Sequence, residues 1–187
     1  MFHHVLFAML GLALVVPLTA QDKEAPERFT AAAVSPGGPR TAAGVGRVDI
    51  TIERWSSPEE RQQLMTTLKE KGADALLNTL RSLKPVGRIS TPGEVGFPLH
   101  YAHQVKTGNG RRIFIATDRP VGYWEAVTRP RVADYPFTFI EMRLDEKGEG
   151  EGRLAPAAQL NVAGNVIEVV NYGAQPVALT QVRHEAQ

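Results

Sequence analysis

GRVDITIERWSSPEERQQL, residues 46–64, carries two structural signals back to back. Val48, Ile50 and Ile52 alternate with Asp49, Thr51 and Glu53, a period of two that gives a strand one apolar and one polar face. The period then changes. Ser57 is placed to cap free backbone amides, Pro58 suits the first helical position, and Glu60 stands three residues after the cap to complete a capping box. A strand that leads into a capped helix predicts an α+β fold.

Downstream, Leu64, Met65 and Leu68 share one face of that helix, and Gly72 offers the left-handed conformation that stops it. Asp74 then caps a second helix whose stripe is Leu76, Leu77, Leu80 and Leu83, ended by Pro85. The reading is a two-helix hairpin over about residues 58–83, with its leucines in the core.

The rest of the chain reads as strands and turns. Phe29 to Ser35 is a short strand, and Pro36-Gly37-Gly38-Pro39 forces a loop after it. In FPLHYAHQV (97–105), Phe97, Leu99, Tyr101 and Val105 are placed on one face; TGNG (107–110) turns the chain and RRIFIAT returns. FTFIEMRL (137–144), the acidic tip DEKGEGEG (145–152) and GRLAPAAQL form a second hairpin, and VIEVV, NYGAQP and VALTQV complete the tail. Eight or nine strands on tight turns predict a mainly antiparallel barrel or sandwich, with the helical hairpin inserted after an early strand.

The first twenty residues, MFHHVLFAMLGLALVVPLTA, contain no Lys, Arg, Asp or Glu, and Val5 to Val16 is an apolar run of signal-peptide length, too short to cross a bilayer. Cleavage before Gln21 is expected, giving an exported, periplasmic or extracellular chain without a transmembrane segment. Residues 21–28 then form a flexible start and residues 29–187 a single domain. The absence of cysteine excludes disulfides, thiolate metal sites and a lipid anchor on cysteine. With 21 basic against 20 acidic residues, bulk charge gives no pull toward nucleic acid.

Few residues suggest chemistry. His100 and His103 would share a metal on a helix, but their odd separation in a strand sends them to opposite faces. The tip DEKGEGEG has oxygen ligands without the carboxylate spacing of a calcium loop. No G-x-S-x-G elbow or Walker-type phosphate loop occurs, and GVGRV (44–48) opens a strand instead of a helix, so it offers no helix amides to a phosphate. No catalytic residue, metal or cofactor is therefore assigned. ATDRPVGYWEAVTRPRVADYP (116–136) supplies the ligand-binding candidates: Asp118, Arg119, Tyr123, Trp124 and Glu125. Tyr123 and Trp124 could stack on a sugar or aromatic ligand, and Asp118, Glu125 and Asp134 could supply an acid and a base. The competing reading is a strand connection held by Arg-Pro corners at 119–120 and 129–130.

The segments GRVDITIERWSSPEER, VGRISTPG, RRIFIATDRP with YWEA, and YPFTFIEMRLDEKGEGEG, with a weaker echo in IEVVNYGAQPVALTQVR, resemble a family of uncharacterised exported bacterial proteins. The resemblance implies export and a single domain, and brings no activity or site residue with it. The leading expectation is a non-enzymatic binding protein for a small or apolar ligand or an envelope partner. The rivals are a small hydrolase or carbohydrate-active protein built around Trp124, and a structural envelope protein without a ligand.

Overall fold

The computed structural model describes residues 25–37, 43–119, 137–163, 166–172 and 175–185. Among these residues, ten strands and one helical element appear in the order β1 (Glu27–Ser35), β2 (Gly44–Ile52), α1 (Pro58–Ser82), β3 (Gly87–Ser90), β4 (Phe97–Leu99), β5 (Tyr101–Thr107), β6 (Gly110–Thr117), β7 (Phe137–Asp145), β8 (Glu149–Ala163), β9 (Val166–Tyr172) and β10 (Val177–Glu185). β1 begins two residues before the expected Phe29, because Glu27 and Arg28 are already laddered to Ile52 and Thr51.

All pairings are antiparallel, and nine strands follow the path β4-β3-β2-β1-β10-β8-β7-β6-β5, with β9 paired to β8 off that path. The two ends of the path, β4 and β5, are separated in sequence by His100 alone. One run of chain therefore pairs with β3 through its first half and with β6 through its second, leaving a nearly closed, barrel-like sheet. Ser56 covers the other edge of β5, donating its N–H to the Ala102 carbonyl at 2.9 Å and accepting the Ala102 N–H on Oγ at 3.1 Å.

The interior is filled by side chains. Phe29, Ile50, Ile113, Ile140, Met142 and Leu179 belong to one cluster and are each at most 1% exposed. Val48, Ile50 and Ile52 point into it, as their alternation predicts. Two phase slips were not visible in the alternation. Leu99 and Ala102 are both fully buried, because the chain bends at His100 as it changes partners. The expected shared face of Phe97, Leu99, Tyr101 and Val105 is thus corrected: Tyr101 packs on the outside against α1, and Val105 is 45% exposed. Leu179 and Val182 are likewise both buried across an odd spacing, with Gln181 at φ 51° in a bulge that breaks register against both neighbouring strands.

The helix starts as read. Ser57 Oγ accepts the Glu60 N–H at 3.2 Å and Glu60 Oε2 accepts the Ser57 N–H at 2.9 Å. The expected pair of helices is corrected to one helical element interrupted at Gly72, whose φ of 80° and ψ of −175° are not helical and which leaves no loop between the halves. Arg54 forks onto both Glu60 oxygens at 2.9 Å and reaches the Lys84 carbonyl at 2.7 Å. A straight helix of this length would hold its ends roughly 37 Å apart, so the change of direction at Gly72 brings the ends of α1 back to one arginine.

Candidate functional site

α1 lies against the outer face of the sheet. On β7, Ile140, Met142 and Leu144 face the interior, so Phe137 and Phe139 face out; Leu64, Leu68, Leu76 and Leu80 cover Phe137 and form a second core with it. Between helix and sheet a crevice of about 40 Å³ remains, lined by Leu64, Met65, Leu76, Leu80, Tyr101 and Phe137, with Ala116 and Phe139 on the sheet side and the exposed Arg61 at its margin. Its surface is apolar. Burial is the main cause that raises the pKa of the Tyr101 phenol, which Arg61 partly offsets. On the same face, burial first and then Arg61 keep His103 below its usual value, favouring the neutral ring.

Three pairs of neighbouring residues tie this crevice to an ionic cluster. Leu80 lines the crevice and Arg81 follows it; Tyr101 lines it and His100 precedes it; Ala116 lines it and Thr117-Asp118 follow. Arg81 Nε donates to Asp118 Oδ2 at 3.0 Å, while His100 Nε2 and Arg119 Nε each stand 3.6 Å from Oδ1. Thr117 Oγ1 donates at 2.8 Å to the Pro98 carbonyl and lies 3.3 Å from Asp118 Oδ1. Asp118 is 4% exposed and His100 8%. Burial, the largest single influence on Asp118, pushes its pKa up; the Arg81 hydrogen bond and the charges of Arg119, His100 and Arg81 outweigh it, and the net shift is downward. The carboxylate is thus ionised and latches the C-terminal half of α1 to the end of β6.

The same geometry limits the chemistry. His100 Nδ1 sits 3.2 Å from the Leu83 carbonyl and Nε2 faces Asp118, so neither ring nitrogen is free to take a proton from a substrate. Asp118, held ionised between cations, is a poor general acid.

Of the ligand-binding candidates, Asp118 and Arg119 are together in this latch, and the Arg119 carbonyl accepts from Thr138 Oγ1 at 2.8 Å. Tyr123, Trp124 and Glu125, with Asp134, lie outside the described residues. β6 ends at Thr117 and β7 begins at Phe137, which lines the crevice. Arg81, His100 and the crevice leucines were not predicted as site residues. Their only signals were a cation in the last helical turn and an odd spacing between the apolar residues flanking His100.

At the acidic tip, Asp145 Oδ1 accepts the Lys147 and Glu149 amides, both at 2.9 Å, so this carboxylate is engaged by its own turn. Among the described residues no group of three or more His, Asp or Glu is placed to hold a metal ion. Near the same turn, an open groove of about 520 Å³ is bordered by Arg111, Arg112 and Arg143. These cations are paired, Arg111 with Glu27 at 2.6 Å, and Arg112 and Arg143 with Glu141 at 2.6 and 3.0 Å. Comparison of the chain with protein-family models, with curated proteins and with solved structures gave no match.

Proposed function

We propose that this is an exported, periplasmic, non-enzymatic binding protein that takes a small apolar group on the outside of its barrel, between α1 and strands β5–β7. The observation that carries this reading is the apolar crevice, with a cation at its margin and an ionic latch at one end. The barrel interior is a poor receptacle because it is packed with large buried side chains. A volume of about 40 Å³ is far below the several hundred Å³ of a drug-sized site, which suits the end of one alkyl chain, and Arg61 suits an anionic head group on it. In this reading the two halves of α1 about Gly72 act as a helical hairpin clamped by Arg54 and Asp118.

The apolar run from Val5 to Val16, followed by Leu18-Thr19-Ala20 with its small last residue, supports export, as does the resemblance carried by residues 46–152. No helix among the described residues is long and apolar enough to cross a membrane. The hydrolase reading loses support from the engaged nitrogens of His100 and the ionised Asp118.

Titration with a short-chain alkyl carboxylate, followed by methyl NMR, tests the proposal. Shifts should concentrate on Leu64, Leu76 and Leu80 and vanish in Ala116→Val, which fills the crevice from the sheet side. Absence of those shifts, or shifts that survive Ala116→Val, would reject it. Secretion of the full chain, with the new N-terminus at Gln21, tests export separately.

A further inference from the structure

The crevice beneath α1 has two unlike ends. Its sheet side is one cross-strand row, Tyr101↔Ala116 and Ala116↔Phe139, and all three of these residues line it. In one direction from that row β6 runs to Thr117, and the Asp118 latch stands at this end. In the other direction the next outward-facing row, about 7 Å along the strands, is His103↔Phe114 and Phe114↔Glu141. Phe114 carries the apolar surface onward, its ring 6.3 Å from that of Phe139.

The polar groups at this second end are unengaged. The Arg61 guanidinium, near the start of α1, stands beside the Tyr101 phenol, and its charge reaches His103. The rings of Tyr101 and His103 are 6.4 Å apart, and both residues are half-buried. Among the described residues Arg61 has no carboxylate partner, and neither the Tyr101 hydroxyl nor a His103 ring nitrogen is hydrogen-bonded to a carbonyl or carboxylate. Their neighbours differ. Arg54 is forked onto Glu60, Arg112 is bonded to Glu141, and both ring nitrogens of His100 are occupied. A guanidinium, a phenol and an imidazole thus border the open end of an apolar slot, with one uncompensated positive charge among them.

We infer that Arg61, Tyr101 and His103 are the head-group site of the crevice, and that its ligand is a straight-chain monocarboxylate lying with its methyl end toward the Asp118 latch. This inference rests on the crevice being the binding site. The donors suit a carboxylate: the guanidinium takes its oxygens in a fork, the phenol donates its O–H, and the neutral His103 ring adds one N–H. The charges suit a monoanion. Besides Arg61, the ionic group in the row of His103 is Glu141, beyond Phe114, already held by Arg112 and Arg143. A phosphate dianion would set two negative charges against a single cation. A crevice of about 40 Å³ admits an alkyl chain end-on, which leaves the head at Arg61.

Methyl NMR titrations with hexanoate, hexanol and hexyl phosphate at neutral pH test the assignment. Hexanoate should bind about tenfold or more tightly than hexanol, as one charge-assisted hydrogen bond requires, and hexyl phosphate should bind no more tightly than hexanoate. Arg61→Gln, at an exposed position, should abolish the preference for hexanoate and leave hexanol binding unchanged, while Arg61→Lys keeps part of it. In the wild type, saturating hexanoate should raise the titration midpoint of His103 and hexanol should not. Burial and then the Arg61 charge hold that midpoint down, and the anion offsets the second. Equal affinities for hexanoate and hexanol, tighter binding of hexyl phosphate, a preference that survives Arg61→Gln, or a His103 midpoint indifferent to hexanoate would each overturn the head-group site while the crevice stands. If neither hexanoate nor hexanol binds, the crevice reading falls and this one with it.

Discussion

Replacing Asp118 by Asn keeps the shape of the side chain and removes its charge, so it isolates the ionic part of the latch. Arg81 donates to this carboxylate at 3.0 Å, and a hydrogen bond to a charged group contributes roughly 1.5–3 kcal/mol. Two of the partners soften the loss, because the side chains of Arg81 and Arg119 are 53% and 46% exposed and can return to water. His100 stays buried in the same place, with a neutral amide where the carboxylate faced its Nε2. The net cost is about 2 kcal/mol, which for a chain of this size lowers Tm by about 4–8 °C. The sign of the pH dependence follows from the direction of the shift. Asp118 has its pKa lowered by folding, so its contribution is fully present above the ordinary aspartate range and is lost as pH falls through the depressed folded value. Urea midpoints for the wild type and Asp118→Asn, measured from pH 7 downward, should therefore differ most at neutral pH and converge in acid. A variant within about 0.5 kcal/mol of wild type at pH 7, below the range expected for a charged hydrogen bond, would show that Asp118 does not latch α1. Two profiles that stay parallel in acid would show that its ionisation is not what matters.

Four further outcomes follow from the packing. Ser57→Ala removes the cap accepted from Glu60 N–H and should cost about 1 kcal/mol in urea denaturation. Leu80→Ala, at a side chain 2% exposed in the helix–sheet cluster, should cost about 2–5 kcal/mol and enlarge the crevice enough to raise its affinity for a small hydrocarbon, measurable by xenon-induced NMR shifts. Gly150→Ala should fail to give soluble folded protein in an expression assay, because an added Cβ would lie 1.9 Å from the Arg143 carbonyl oxygen on β7. Gln181→Gly should be neutral or stabilising while Gln181→Val is destabilising by about 1–2 kcal/mol in thermal melts, since φ of 51° suits glycine and punishes a β-branched residue.

What was legible in the chain was what local chemistry alone decides. The alternation of Val48, Ile50 and Ile52 placed β2, and Ser57, Pro58 and Glu60 placed the start of α1 to the residue. The positive φ of Gly72 matches the role read for it, although the chain there forms a break within one helical element and not a boundary between two. Illegible were the places where a strand changes partners. At His100 and at Gln181 the apolar phase slips, and a period of two cannot report a slip that is imposed by closing the sheet. The latch was half legible for a related reason. Asp118 and Arg119 stood out as charges at a strand end, but Arg81 is 37 residues and His100 18 residues away from Asp118, and only the packed barrel brings them together.

The location of the candidate site follows from the way the sheet is closed. A run that pairs with β3 and then with β6 has to bend between the two ladders, and the bend falls on His100. Its N–H still reaches the Ala116 carbonyl at 3.1 Å, so the backbone is satisfied, but its side chain is turned to the barrel's end, where β6 stops at Thr117. A buried imidazole there needs partners, and Asp118 and the Leu83 carbonyl supply them; the buried carboxylate in turn needs a cation, which Arg81 brings from α1. Each requirement creates the next, and together they fix the C-terminal half of α1 over Tyr101, Ala116 and Phe137, leaving the crevice beside them. Closure of the barrel thus determines where the helix docks, and the helix determines the shape of the only surface to which we assign a ligand. A perturbation of closure, such as Ser56→Ala at the covered edge of β5, should therefore move the methyl resonances of Leu76 and Leu80, and unchanged resonances would break this chain of dependence.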